Sequence, residues 1–165
     1  MKAWPALAAV GVLALFLGPS RGKNRPMNRR ECVVSLAKAE IGKGESPLRY
    51  FDGVAQRPSG RVAWCGIFAL WVLHECGLAS DMAWEYGRGF LFRLPVTATP
   101  QPGDIAYIDQ PYQHHAIVVS VNGETVETVD GNQPGDTISL RSRLRRDFTA
   151  FYSIEPLIEQ DITLT

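Results

Sequence analysis

Cys65 stands where a thiol could act as a nucleophile. It follows Trp64 and opens the apolar run WCGIFALWVLHECG, which predicts a helix that begins near the cysteine. The first turn of a helix leaves backbone N–H groups unpaired and carries the positive end of the helix dipole, and both effects favour a thiolate over a thiol. A cysteine on an apolar helix is often only a small core residue, so the assignment needs a base nearby.

Two adjacent histidines, His114 and His115, compete for the role of that base. They open the apolar stretch HHAIVVSV, and since either face of the predicted strand could be buried, periodicity alone does not choose between them. An Asn-Gly pair after the strand predicts a hairpin, which brings the start of this strand opposite the end of the next one. That pairing is expected to place His115 near Asp130 and Asn132, two residues suited to orienting a base.

The elements that must position these residues change character along the chain. Helices are predicted first and strands afterwards, which indicates an α+β fold with N-terminal helices packed on a small antiparallel sheet. The predicted helices cover a segment of about three turns from Arg29 and the segment 64–76, and the predicted strands cover 104–108, 115–121, 124–130 and 148–154.

The N-terminus is expected to lie outside this fold. Residues 1–20 predict a signal peptide or a membrane anchor, 21–30 a basic linker, 31–157 the catalytic domain and 158–165 a tail. Small residues near position 20 permit cleavage, whereas the basic residues after the apolar stretch would hold the domain in the cytoplasm. The protein is therefore expected to be membrane-associated, secreted or periplasmic, and to contact the membrane through this segment only. Which side of the membrane the domain occupies stays open.

Charge and cysteine content narrow the function. Seventeen basic residues balance seventeen acidic ones, so no nucleic-acid partner is expected, and the clusters RGKNRPMNRR and RSRLRR are read as a membrane flank and a solvated face. Cys65 and Cys76 would lie about 16 Å apart along one helix, too far to bridge. Cys32 and Cys76 are expected to be small core residues, although a bridge between them is possible. No zinc-binding spacing occurs, so no metal and no cofactor are expected, and the chain is predicted to be monomeric.

Three blocks together resemble a known family. WCGIFALWVLHECGL, PGDIAYI and HHAIVVSVNGETVETVDGN resemble the signature blocks of CHAP-type cysteine amidases and endopeptidases, relatives of the NlpC-type peptidases in the papain-like group. The resemblance covers about 31–154. It implies Cys65 as the nucleophile, His115 as the base and either Asp130 or Asn132 as the third member, with Asp130 ranked first. It also implies a papain-like fold and a peptidoglycan substrate, cut at an amide bond of the stem peptide or cross-bridge without a metal.

The function expected from these blocks is a cysteine hydrolase that lyses or remodels cell walls, for example a phage endolysin. The same Cys–His site could instead serve an acyltransferase, and a non-catalytic binding module of the same fold is a further alternative. The backbone N–H of Cys65 is the expected oxyanion donor. Trp64, Tyr107 and Tyr112 could line a substrate groove, and packing in the core is the competing interpretation for each.

Overall fold

The computed structural model describes residues 28–44, 47–56, 62–84 and 93–163. The predicted signal peptide or anchor and residues 21–27 of the predicted linker lie outside these ranges. Within them, no helix combines the length and apolar content that a bilayer crossing requires. The first helix begins at Arg29 and the last ends at Thr163.

Three α-helices occur in the described residues. They are α1 (Arg29–Ala39), α2 (Cys65–Glu75) and α3 (Glu155–Thr163), with short 3-10 helices at Pro47–Phe51 and Arg145–Asp147. Asn28 caps α1 with its side chain and shares a reciprocal capping box with Glu31, which satisfies N–H groups of the first turn. The two helices predicted from hydrophobic periodicity are thus confirmed within a few residues at each end.

The strands form one antiparallel sheet with the order β4-β3-β2-β1-β5. Their bounds are β1 (Ile105–Ile108), β2 (His114–Asn122), β3 (Thr125–Gln133), β4 (Thr137–Leu144) and β5 (Ala150–Tyr152). The α+β class is therefore confirmed. The sequence did not predict β4, an edge strand with mostly polar residues, because only one of its residues is buried.

The two faces of the sheet hold separate apolar clusters. On one face α2 packs against residues that include Tyr107, Ile117 and Val129. The opposite face carries a smaller cluster that includes Ala116, Val118 and Phe148. Because side chains alternate along a strand, two consecutive residues of β2 face different clusters. This alternation decides which histidine meets which partner.

A disulfide joins Cys32 of α1 to Cys76, the residue that follows α2, with a Cα–Cα distance of 5.8 Å. The prediction that both are simple core cysteines is therefore wrong. The pairing depends on α1 crossing the end of α2, a tertiary contact that no local pattern encodes. Arg29 reinforces the same junction by donating from Nη1 to the carbonyl oxygen of Cys76 at 2.8 Å.

Asp104, in the block PGDIAYI, is a buried structural residue at the start of β1. Its Oδ1 accepts from Nη1 of Arg30 at 2.8 Å and from the backbone N–H of Ile154 at 3.2 Å, and its Oδ2 accepts from the N–H of Gln101 at 2.8 Å. Because a buried carboxylate is costly unless it is paired, these bonds tie α1 and the end of β5 to one turn. Asp104 therefore has a structural role in this block.

Candidate active site

Cys65 is the first residue of α2, as predicted. Its thiol is free, and the residue is 5 % exposed. Trp64 precedes the helix and makes no capping hydrogen bond, so its side chain does not satisfy the N–H groups of the first turn. The sulfur is therefore beside the positive end of a helix, in a setting that favours its ionised form.

His115 lies against the sulfur on the helix-facing side of the sheet. Its Nδ1 is 3.8 Å from Sγ of Cys65. The ring is buried between aromatic neighbours, with centroid distances of 5.1 Å to Tyr107 and 5.5 Å to Trp84. The predicted proximity of His115 and Cys65 is thus present, although this imidazole is enclosed by aromatic rings.

Asp130 binds His114, not His115. The distance from His114 Nε2 to Asp130 Oδ2 is 2.8 Å, and Asp130 is fully buried. The predicted pairing of His115 with Asp130 is wrong, and the register explains why. Asp130 stands directly opposite Ala116 in the β2–β3 pair, so it shares its face with Ala116 and His114, whereas His115 points to the face covered by α2.

The two imidazoles act on the thiol electrostatically. Burial of Cys65 opposes its ionisation, but hydrogen bonds and positive charge, from His114 first and then from His115, outweigh it and lower the pKa of the thiol from 9.0 to about 6. Burial likewise lowers the pKa of His114, but its bonds to Asp130 and Cys65 raise it from 6.5 to about 9. At neutral pH these shifts favour a thiolate at Cys65 and an imidazolium at His114, which bonds to Asp130.

The carboxylate of Asp130 is held from two further sides. Thr128 donates from its hydroxyl to Oδ1, and Arg143 donates from Nη2 to Oδ2 at 2.6 Å and from Nη1 to Thr128 Oγ1 at 2.9 Å. Burial raises the pKa of Asp130, but its bonds to His114, Arg143 and Thr128 more than offset this and hold it below the usual value. Sequence analysis missed Arg143, because it placed RSRLRR on a solvated face and did not predict β4.

Two glycines allow close packing at the site: Gly131 lets β3 approach α2, and Gly66 lets α2 approach Trp84 and His115. A Cβ on Gly131 would lie 2.9 Å from Cβ of Phe68 and 3.0 Å from Cζ3 of Trp64. A Cβ on Gly66 would lie 3.1 Å from Nδ1 of His115 and would overlap the ring of Trp84. Any side chain at either position would push apart the elements that bring the thiol and the imidazoles together.

A groove of about 460 Å³ opens beside these residues. One wall is the segment Val62–Ala63, just before Cys65, and the other includes Asn132, Gln133, Pro134 and Asp136. Gln133 Nε2 is 3.4 Å from His114 Nε2, so a residue that lines the groove contacts the imidazole that binds Asp130. Asn132, with a left-handed φ of 56°, lies in the irregular part of β3 and lines this groove, whereas Asp130 is the residue that bonds to His114.

The fold places the aromatic residues predicted to line the groove in different environments. Trp64 and Tyr107 are buried in the main core, which supports their interpretation as packing residues. Tyr112 is 82 % exposed on the loop that precedes His114. Trp84, which sequence analysis did not select, is half-buried against His115 and Gly66. It lies in a loop, where hydrophobic periodicity carries no signal.

His74 is far from this chemistry, as predicted, and its Nε2 lies 2.9 Å from the carbonyl oxygen of Met82. Across the described ranges, no three side chains of histidine, cysteine, aspartate or glutamate are grouped so that they could hold a metal ion.

Comparison with known proteins agrees with the motif resemblance. A family model described as the CHAP domain matches residues 57–132, a range that includes Cys65, both site histidines and Asp130. The resemblance to CHAP-type cysteine amidases and endopeptidases is thereby confirmed over this range. Neither the curated proteins nor the solved structures gave a match.

Proposed function

We infer, from the CHAP domain that this chain contains, that the protein is an amidase or peptidase acting on peptidoglycan and that it uses Cys65 as its nucleophile. The observation that carries the proposal is the bond of His114 to the buried carboxylate of Asp130, beside a thiol whose pKa the two histidines lower. A thiol activated by an imidazole, which is oriented in turn by a carboxylate, is the arrangement that acyl transfer requires.

The proposed reaction has two steps. The thiolate of Cys65 attacks the amide carbonyl carbon, and the C–N bond breaks as His114 gives its proton to the departing amine, leaving a thioester. Water then attacks the thioester while His114 takes a proton from it, and the carboxylic acid product leaves as the thiolate re-forms. The backbone N–H of Cys65 is proposed to stabilise the oxyanion in both steps.

This proposal moves the role of base from His115 to His114. The reason is that the carboxylate required to orient the base bonds to His114 at 2.8 Å. With Nε2 of His114 engaged by Asp130, its Nδ1 is the atom available to the sulfur. His115 is proposed to support the thiolate from the other side, through the contact of 3.8 Å to Sγ.

We also propose that the fold is papain-like in the NlpC manner. The support is the chain order of the parts: a cysteine at the start of a buried helix, then a histidine at the start of a strand, then an acid on the neighbouring antiparallel strand. The acid comes from the strand adjacent to the histidine, so a hairpin fixes their spacing.

The groove beside His114 is proposed to bind the substrate chain. Asn132 and Gln133 offer amide groups to a peptide backbone along one wall, and Val62 and Ala63 form an apolar wall opposite. Tyr112 and Trp84 are proposed as additional substrate contacts, because one is exposed and the other half-buried next to the site. The scissile amide is proposed to lie in the stem peptide or a cross-bridge.

The compartment is proposed to be oxidising. The support is the Cys32–Cys76 disulfide, since such bonds persist outside the cytoplasm and are rare within it. We therefore favour export of the catalytic domain over retention in the cytoplasm. Blocking free thiols in intact cells before purification tests this: Cys65 alone should be alkylated, and alkylation of Cys32 and Cys76 as well would contradict export.

The test of the function is digestion of purified peptidoglycan by the wild-type protein and by the Cys65→Ala variant, followed by mass spectrometry of the released muropeptides. We expect wild-type protein to release fragments with a new amine and a new carboxylate, and Cys65→Ala to release none. A parallel digestion with an added primary amine separates hydrolysis from acyl transfer, because a transferase would join that amine to the acyl fragment. Fragment release by Cys65→Ala at the wild-type rate would refute the proposal.

A further inference from the structure

Arg143 forms a short ion pair with the carboxylate that orients the proposed base. It donates to Oδ2 of Asp130 at 2.6 Å, and the same oxygen lies 2.8 Å from Nε2 of His114. The other carboxylate oxygen accepts from Thr128, which in turn accepts from Arg143 at 2.9 Å. Asp130 is thus held between a cation that can lose its charge, His114, and one that cannot.

We propose that Arg143 is a positioning residue that neutralises Asp130 permanently and thereby allows His114 to release its proton during turnover. This rests on the Cys65–His114–Asp130 relay proposed above. Asp130 and Thr128 are fully buried, so the carboxylate has no contact with water that could compensate its charge. If His114 were the sole cationic partner of Asp130, each proton that His114 gave to a leaving amine would leave the buried carboxylate of Asp130 without a compensating positive charge.

The charge balance through the reaction follows from this arrangement. In the resting site the thiolate pairs with the imidazolium, and Asp130 pairs with Arg143. Once Cys65 has formed the thioester and His114 has given its proton to the amine, both groups are neutral. Asp130 and Arg143 still compensate each other, so no step leaves an unpaired buried charge.

The charged groups that pair with Asp130 come from two elements. His114 approaches from β2 and Arg143 from β4. Arg141, also on β4, contacts the side-chain oxygen of Gln133 instead. The guanidinium of Arg143 also lies 5.9 Å from the ring centre of Phe148, which helps to fix its position.

The experiment is a histidine-ring NMR titration of the full chain, with the His114 signal assigned by comparison with His114→Gln. It requires no substrate, so it succeeds or fails independently of the proposed hydrolysis. The wild-type His114 midpoint is expected near pH 9. In Arg143→Met the midpoint of His114 should rise by about one unit or more. Deprotonation of His114 would then leave the carboxylate of Asp130 without a compensating positive charge. Arg143→Lys should stay within about half a unit of wild type, since it keeps the charge.

The matched control is Arg146→Met, which removes the same charge from an exposed position of the same arginine cluster and should leave the midpoint unchanged. A folded Arg143→Met variant whose His114 midpoint is unchanged or lower would overturn the proposal. If Arg143→Met does not fold, the double variant Asp130→Asn/Arg143→Met decides. Recovery of the fold supports neutralisation as the role of Arg143, and failure to recover it shows a packing role instead and overturns the proposal.

Discussion

Replacement of His114 by glutamine should raise the pKa of the Cys65 thiol. In the wild-type site the pKa falls from 9.0 to about 6, with His114 the largest favourable contribution. That shift is about a thousandfold in the ionisation constant, or roughly 4 kcal/mol, in favour of the thiolate. At pH 7 it keeps about nine tenths of the thiol ionised, compared with about one hundredth for a thiol with the unshifted pKa.

Glutamine retains a polar side chain but cannot carry the positive charge. Because burial opposes ionisation of the thiol, we expect the pKa in His114→Gln to rise by about two units or more and alkylation at pH 7 to slow by about tenfold or more. The assay is the rate of carbamidomethylation by iodoacetamide as a function of pH, followed by intact-protein mass spectrometry. Since Cys32 and Cys76 are joined in a disulfide, the signal reports Cys65 alone.

Two histidine variants provide the comparison. His115→Gln should raise the pKa of Cys65 by less than His114→Gln does, because His114 is held as an imidazolium by a buried carboxylate. His74→Gln, at the opposite end of α2, should leave the alkylation profile unchanged. If His115→Gln has the larger effect, or if His114→Gln leaves the pKa of Cys65 unchanged, the reassignment of the base is incorrect.

Three further outcomes follow from the same geometry. Hydrolysis needs Cys65 deprotonated and His114 protonated, so kcat/KM should rise with pH through about 6 and fall through about 9; a profile without the upper fall would contradict the role of His114. Replacement of both Cys32 and Cys76 by serine should lower the free energy of unfolding by about 4 kcal/mol in a urea titration, because the disulfide joins residues 44 apart in sequence. An unchanged urea midpoint would show that the disulfide does not stabilise the fold. Gly131→Ala should lose about 1–3 kcal/mol of stability and most of the activity, because the added Cβ forces β3 away from α2. Wild-type activity together with wild-type thermal unfolding would show that the close approach of β3 to α2 is unnecessary.

The free thiol at the start of α2 could be predicted from the sequence because its signals are local. An apolar run that begins at Cys65 indicates both a buried helix and a thiol at its N-terminus, and the structure has both. The hairpin between β2 and β3 could be predicted for the same reason, since an Asn-Gly pair between two apolar strands specifies the turn.

The choice between His114 and His115 could not be made in the same way. Consecutive residues of a strand point to opposite faces of the sheet. The hairpin predicts that the start of β2 lies near the end of β3, but it does not give the register of the two strands. The exact pairing of Ala116 with Asp130 decides the matter, and it depends on where the bulge in the β2–β3 pair falls. A shift of the β2–β3 register by one residue would have placed Asp130 on the same face of the sheet as His115.

Arg143 was missed, and the Cys32–Cys76 disulfide was left only as a possibility, for a related reason. Each pairs residues distant in sequence, and neither belongs to a periodic pattern that indicates its partner. The arginine lies in a basic cluster, for which a solvated face is the ordinary expectation. A polar edge strand with one buried residue gave no hydrophobic pattern that would have placed this side chain against Asp130.

The central claim is that Cys65 carries the acyl group of a peptidoglycan amide, with His114 as its acid and base. The most direct measurement is acid-quenched mass spectrometry of the protein during digestion of peptidoglycan, with the adduct mapped by proteolysis. We predict a transient acyl fragment on Cys65 in the wild-type protein, which hydroxylamine removes, and none in Cys65→Ala. Continued release of amide-cleaved fragments by Cys65→Ala, or an adduct on any other residue, would contradict the account.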